Sequence, residues 1–311
     1  MHMTITIGYT SHDGVLLLGG GGFIGSALAK RFSADGRQVY VLGSGAPSAT
    51  NEAHWLQGRL DDPVLLARAL PLCSTVIHLA SATTPGSSAN HPSHEIDNLA
   101  PSLRLLEALQ AHPQTHLIFF SSGGTLYGNP QRLPVHEDDP AAPLSYHGAG
   151  KLAMEAMLHA FRARGQTVTI LRPSNAYGPG QTLRNGFGLI RTMLEHVRCG
   201  TPLAVWGDGE NVRDFIYIDD IAEACARLLA LPHDNGTYNI GSGEGHTINE
   251  VRIIVEQVTG IRLKTIHHPA RGVDVKSVIL DTSRLEARLL WQPETNLDQG
   301  IRQMWDWLRH T

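Results

Sequence analysis

The chain has 311 residues, 42% of them apolar and 17% charged, and carries a net charge of -4 with histidine neutral. That length holds one large α/β domain with a smaller lobe, and the charge balance lacks the basic stripe of a nucleic-acid surface. Three scattered cysteines, Cys73, Cys199 and Cys225, have no CxxC spacing and suit reduced thiols in a cytoplasmic protein.

Residues 1–13 are expected to form a short leader. The apolar run VLLL at 15–18 meets four glycines and has no basic region before it, so it is not a signal peptide. No stretch approaches the roughly 18 apolar residues of a membrane span. VLLL itself predicts a buried strand, followed by helical spacing over 25–33, a strand at 39–42, a helix at 63–70 and a strand at 75–80. A helix at 99–111, a strand at 116–122, a long helix at 149–164 and a strand at 167–173 complete the run. Short strands separated by helices imply a parallel, doubly wound sheet of the Rossmann type. Beyond 175 the rhythm changes, with Gly/Pro breaks and helices at 187–199, 219–230 and 247–259. The division is into a mainly dinucleotide-binding part, 1–174, and a mainly substrate-binding lobe, 175–311, interleaved with the end of the sheet.

The loop GGGGFIG at 19–25 follows the first strand and opens the first helix, with Gly19, Gly22 and Gly25 spaced G-x-x-G-x-x-G. Glycines let the backbone turn tightly against a pyrophosphate, which then rests on unpaired amides at a helix N-terminus. At the end of the second strand, where an acid would hold the adenosine ribose, stand Gly43 and Ser44, and no arginine follows at once. The choice between NAD and NADP stays open on this ground. His91, His94 and Glu95, and the pair His267–His268, form only incomplete metal-ligand sets, so no metal is expected.

Several motifs then agree in order: LGGGGFIGSALA, VIHLAS (76–81), Asn98, FSSGGTLYG (120–128), LRPSNAYGPG (171–180), GDGENVRDFIYIDD (207–220) and WQPETNLDQGI (291–301). With these the chain, from about residue 14 to 308, resembles an extended short-chain dehydrogenase/reductase of the NAD-dependent sugar epimerase/dehydratase family, similar to UDP-glucose 4-epimerases. The resemblance implies a bound NAD, with NADP as the other option, contacted by Gly19, Gly22, Phe23, Ile24, Ser44, Leu60, Leu79, Ala80, Ser81, Asn98 and Lys151. It implies a nucleotide-diphosphate sugar, UDP-linked, held by Asn175, Leu189, Val205, Arg213 and Arg271, with Leu203 nearby. Two guanidinium forks suit a diphosphate. It also implies a homodimer built on the helices near 98–111 and 149–164, with neither nucleic acid nor membrane as partner.

Four positions depart from the family pattern. Aligned on Lys151, the acid/base tyrosine falls on His147, and Tyr146 stands one place early. Four helical residues advance about 400° and five about 500°, so His147 shares the face of Lys151 unless a bulge restores Tyr146. The catalytic hydroxyl falls on Gly123, leaving Ser122 and Thr125 as neighbours. The acid of the second strand falls on Gly43, and an aspartate of the third loop falls on Arg59. The implied reaction is epimerisation through a transient 4-keto sugar, with Tyr146 or His147 as base, Lys151 lowering the pKa of the base and Ser122 or Thr125 relaying the proton. The alternatives are a binding protein with impaired chemistry and a one-way nucleotide-sugar ketoreductase.

Overall fold

The structure is a computed structural model and describes residues 13–45, 53–184, 187–271 and 274–311. The expected leader therefore lies outside the described residues, apart from Asp13. In chain order the strands are β1 (Gly14–Leu18), β2 (Val39–Gly43), β3 (His54–Gln57), β4 (Cys73–His78), β5 (His116–Phe120), β6 (Val168–Pro173) and β7 (Asn175–Tyr177). They continue with β8 (Leu203–Trp206), β9 (Val212–Tyr217), β10 (Thr237–Ile240), β11 (Gly245–Thr247), β12 (Thr265–His268) and β13 (Ser277–Val278). The helices are α1 (Phe23–Ala34), α2 (Pro63–Ala69), α3 (Ile96–Leu109), α4 (Gly123–Leu126) and α5 (Tyr146–Ala163). After them come α6 (Leu189–Cys199), α7 (Ile218–Leu229), α8 (Ile248–Thr259), α9 (Ser283–Leu289) and α10 (Leu297–His310).

Seven strands make the main sheet in the order β10-β6-β5-β4-β1-β2-β3, and every pair in it is parallel. Period-two alternation explains why its strands read as unbroken apolar runs. Val15 and Leu17 pack with Leu28 and Phe32 of α1 and Ile221 of α7 on one face. Leu16 and Leu18 pack with Leu105 of α3 and Leu158 of α5 on the other. Covering both faces with helices is the doubly wound Rossmann arrangement expected from the sequence. β10 comes from the second half of the chain yet pairs with β6, so the lobe returns a strand to the sheet.

The lobe has its own core, in which Tyr177, Met193, Leu203, Val205, Phe215, Val251, Ile301 and Trp305 meet. A smaller sheet, β11-β9-β13 with β7 beside β9, lies against it. Asp214 of β9 knits this region together. Its buried carboxylate accepts from the amides of Ser242, Gly243 and Leu280 and from the Ser242 hydroxyl. Among the described residues no helix is long and apolar enough to cross a membrane.

Candidate active site

The sheet order reverses direction beside β1, so the loops after β1 and β4 part there and leave a crevice at the carboxyl ends of the strands. Leu79 N–H donates to Leu18 O at 3.0 Å, which locks the two loops side by side. Gly19 has φ +83° and packs so closely that a Cβ would stand 2.8 Å from Ala80 Cα. A side chain there would be both strained and clashing. Gly22 begins α1 without any side-chain cap, so the first amides of the helix face the crevice unpaired by side chains.

The crevice opens into one cavity of about 1470 Å³. It is lined by Gly19, Gly22, Phe23, Ile24, Ser44, Leu60, Leu79, Ala80, Ser81 and Asn98, then by Ser122, Thr125, Tyr146, His147 and Lys151, and at its far end by Asn175, Leu189, Arg213 and Arg271. Of the residues expected at the site, Leu203 and Val205 stay out of the lining. Both side chains are buried in the core of the lobe, on β8. Packing is the role that the structure gives both residues.

The end of the cavity beside β2 and β3 holds two groups that the motifs did not single out. Trp55 of β3 donates from Nε1 to Gly45 O at 3.2 Å. Asp61 is buried at the cavity wall between Arg59 Nε at 2.9 Å and Arg104 Nη1 at 2.7 Å, and the Arg59 guanidinium holds its carboxyl below the usual range. The arginine that stands where an aspartate was expected thus carries its own acid two residues later. The uncapped amides, the close approach at Gly19 and the volume of the cavity fit a dinucleotide.

At the middle of the cavity, α5 starts cleanly. The Ser145 side chain accepts from Gly148 N, and Ala149 N donates to Ser145 O at 2.9 Å, so helical bonding runs from the first turn. There is no bulge to carry Tyr146 round to the face of Lys151. Tyr146 is 48% exposed at the mouth, while His147 is 8% exposed and turned inward. Lys151 Nζ donates to Phe120 O at 2.8 Å and lies 4.9 Å from the centre of the Phe119 ring. Burial pushes its pKa down to about 8, against the pull of Glu95 and Glu155. Burial, then the charge of Lys151, pushes His147 down to about 4, so its imidazole is neutral near pH 7.

The place where a catalytic hydroxyl was expected is sterically closed. A Cβ on Gly123 would meet Leu280 Cδ1 at 2.6 Å and Arg172 O at 2.9 Å. Thr125, by contrast, lines the cavity with a buried Oγ1 that has no hydrogen-bond partner in the chain, and Ser122 lines the same wall. At the far end Arg213 donates from Nη1 to Val212 O at 2.8 Å. Arg271 forms a bidentate pair with Asp274, 2.9 Å on each side, and lies 4.5 Å over the Trp206 ring. The side chain of Asn175 is tied to Asp214 O at 2.8 Å.

Glu95, which the sequence suggested only as part of an incomplete metal set, belongs instead to a polar cluster behind His147. Asn98 Nδ2 donates to Glu95 Oε2 at 2.9 Å and to Thr83 Oγ1 at 2.7 Å, and Thr83 Oγ1 lies 3.0 Å from His147 Nδ1. Thr83, Trp55 and Gly150 carry no signal in isolation, because their neighbours lie far away in the chain. Among the described residues no three His, Cys, Asp or Glu side chains are grouped to hold a metal ion.

Residues 15–241 match the model of the NAD dependent epimerase/dehydratase family. The chain belongs to that family. A putative UDP-glucose 4-epimerase of Methanocaldococcus jannaschii is 30% identical over 303 residues, 95% of this chain and 98% of the relative. The dTDP-4-dehydro-6-deoxyglucose reductase of Escherichia coli is also 30% identical, over 94% of this chain and 96% of that one. Among solved structures, the UDP-glucose 4-epimerase of Thermotoga maritima with UDP-glucose is similar at a TM-score of 0.89 and 30% identity, covering 96% of this chain and 99% of that one. The expected fold, family and NAD cofactor are thus borne out, and structural neighbours in the family are complexes with NAD. These relatives cover 94% to 96% of this chain, so the lobe is shared with them as well as the sheet.

Proposed function

We propose that the chain is an NAD-dependent epimerase of a nucleotide-diphosphate sugar, UDP-linked, acting in the cytoplasm through a transient 4-keto sugar. The observation that carries this reading is the single cavity that joins the uncapped start of α1 to Arg213 and Arg271, with Lys151 and His147 between them. Residues 1–174 would hold the cofactor through Gly19, Gly22, Phe23, Ile24 and the walls named above. Residues 175–311 would hold the sugar nucleotide.

Bound NAD supplies a hydride acceptor that becomes the donor for the return step. The chain supplies everything else. Arg213 and Arg271 meet the diphosphate with guanidinium forks, and Asn175 and Leu189 border the nucleotide. Lys151, held by Phe120 O, keeps a positive charge at the reacting centre below its lowered pKa. Thr125, its Oγ1 unpartnered, and Ser122 offer hydroxyls to the sugar oxygen. Tyr146 and His147 stand at the acid/base place, and the continuous helix favours His147. The chain is further read as a homodimer that joins the outer sides of α3 and α5, where Ile96, Leu103 and Met157 are exposed. A monomer in light scattering would refute that part.

The test is incubation with NAD and UDP-glucose or UDP-galactose, followed by proton NMR of the sugar. Interconversion of the two at C4 is the expected result. No change in any UDP- or dTDP-hexose tried would overturn the reading. The similarity to the Escherichia coli reductase supports a second reading, a one-way ketoreductase, which would consume reduced cofactor in step with product.

A further inference from the structure

Resting on that reading, we infer that the cofactor pocket takes the adenosine 2′-phosphate of NADP at least as well as the 2′-hydroxyl of NAD. Arg59 is the phosphate-binding residue, and Gly43 is the residue that permits it. In a Rossmann unit the position at the end of the second strand, about 20 residues after the glycine loop, meets the 2′ position of the ribose. A carboxylate there accepts from the hydroxyl and repels a phosphate, whereas a nearby guanidinium attracts the phosphate. Here β2 ends on Gly43, which lines the cavity without a side chain. Crowding does not account for the missing acid. A Cβ on Gly43 would meet only Trp55 Cζ2, at 4.0 Å, and the residue is not in the left-handed region. Trp55 itself is held in place, because its Nε1 donates to Gly45 O and its ring lies 2.7 Å from where a Cβ on Gly21 would stand.

Strand pairing brings Arg59 to the same corner. Gly43 is in register with Gln57, and Gly58 N–H donates to Gly43 O at 3.0 Å. The loop after β3 thus begins against the end of β2, and Arg59 is its next residue. It is also the first Lys or Arg that follows Gly43 in the sequence. Asp61 orients this guanidinium without using it up. It accepts from Arg59 Nε at 2.9 Å and Nη2 at 3.4 Å, which leaves Nη1 without a partner among the described residues. The Arg59 side chain is 75% exposed and that of Asp61 4%, so the crevice meets the cation rather than its partner. Asp61 also accepts from Arg104 Nη1 at 2.7 Å. One carboxylate therefore serves two guanidinium groups, and the trio keeps one positive charge. Of the other acids nearby, Asp62 accepts from the amides of Val64 and Leu65 at the start of α2. Asp97, at the start of α3, acts on Arg59 more weakly than Asp61 does.

The experiment is calorimetry on the full chain, freed of bound nucleotide and titrated with NAD, NADP, 5′-AMP and adenosine 2′,5′-bisphosphate. NADP is expected to bind with a dissociation constant no larger than that of NAD, and the bisphosphate to bind more tightly than 5′-AMP. Arg59→Ala, which leaves Asp61 paired with Arg104, should weaken NADP relative to NAD by about 10-fold or more. Gly43→Asp, for which there is room, should shift the same ratio toward NAD by about 10-fold or more, and the uncharged Gly43→Asn far less. NADP binding more weakly than NAD in the unaltered chain overturns the inference, as does a ratio that either Arg59→Ala or Gly43→Asp leaves unmoved. The two readings fail in different ways. If UDP-glucose is epimerised with NAD while NADP is rejected, the inference falls and the epimerase stands. If both dinucleotides bind as expected but no nucleotide sugar is turned over, the inference stands and the epimerase falls.

Discussion

His78 and His116 each spend one ring nitrogen on a hydroxyl and leave the other bare in the interior. Ser102 Oγ donates to Asn98 O, so His78 Nε2, 2.8 Å from that oxygen, must carry the hydrogen, and its Nδ1 is buried without a partner. His116 repeats the pattern with Thr169, which donates to Asp234. Burial pushes both rings down to about 3, and it also depresses His147. The unfolded chain binds protons on these rings between about pH 6.5 and the folded values, whereas the folded chain does not. Stability is therefore complete above about pH 6.5 and is lost as the pH falls below it. At pH 5 each ring costs about 2 kcal/mol relative to pH 7. The expected outcome is a melting temperature that drops steeply between pH 7 and 5 and less steeply in His116→Gln. A flat profile would show that these rings take up protons in the folded state. Lys151 has the opposite consequence for activity. Its charge is lost as the pH rises through about 8, so kcat should fall on that side, and a rate constant to pH 10 would contradict its role. That His147 and Lys151 share a face was legible from helical angles alone. That Thr83 and Glu95 stand behind His147 was not, because Thr83 is separated from it by 64 positions.

At the scale of elements, the sequence marked the buried strands and long helices because each has a strong apolar period, and it misplaced their ends. β4 runs over Cys73–His78, two residues earlier than expected. α3 starts at Ile96 and carries Pro101 inside it, where the expected helix began at 99. β3, with the sequence HWLQ, was missed because this four-residue edge strand buries neither of its ends and shows no apolar run. α5 supplies the test at this scale. Glycine in a helix interior ordinarily costs about 0.5–1 kcal/mol against alanine, so replacing it should stabilise. At Gly150 the new methyl would press on Glu95. Gly150→Ala is expected to destabilise by about 1–3 kcal/mol in urea unfolding. In a Glu95→Ala background the same change should turn stabilising. If the two backgrounds gave the same sign, Glu95 would not occupy the space that Gly150 vacates.

At the scale of the whole molecule, the alternation of strands and helices was enough to give the doubly wound sheet, but not the way in which the chain returns to it. β10 leaves the lobe to pair with β6, and α7 packs on α1, so the two halves share a core and cannot be separated at residue 174. Both halves also line the cavity. One end is built on loops after β1 and β4, whereas Arg213 rides on β9 and Arg271 follows β12, both in the lobe. A ligand that meets only the folded state stabilises it by mass action, by about 2.7 kcal/mol at 100 times its dissociation constant. UDP and NAD, added separately, are therefore each expected to raise the melting temperature. The double change Arg213→Ala with Arg271→Ala should abolish most of the rise due to UDP, because no other guanidinium lines that end of the lobe among the described residues except Arg184. It should leave the rise due to NAD nearly intact, since the amides at the start of α1 are untouched. Equal loss of both responses would mean that the arginines hold the fold and not the nucleotide. Loss of neither would place the diphosphate elsewhere in the cavity.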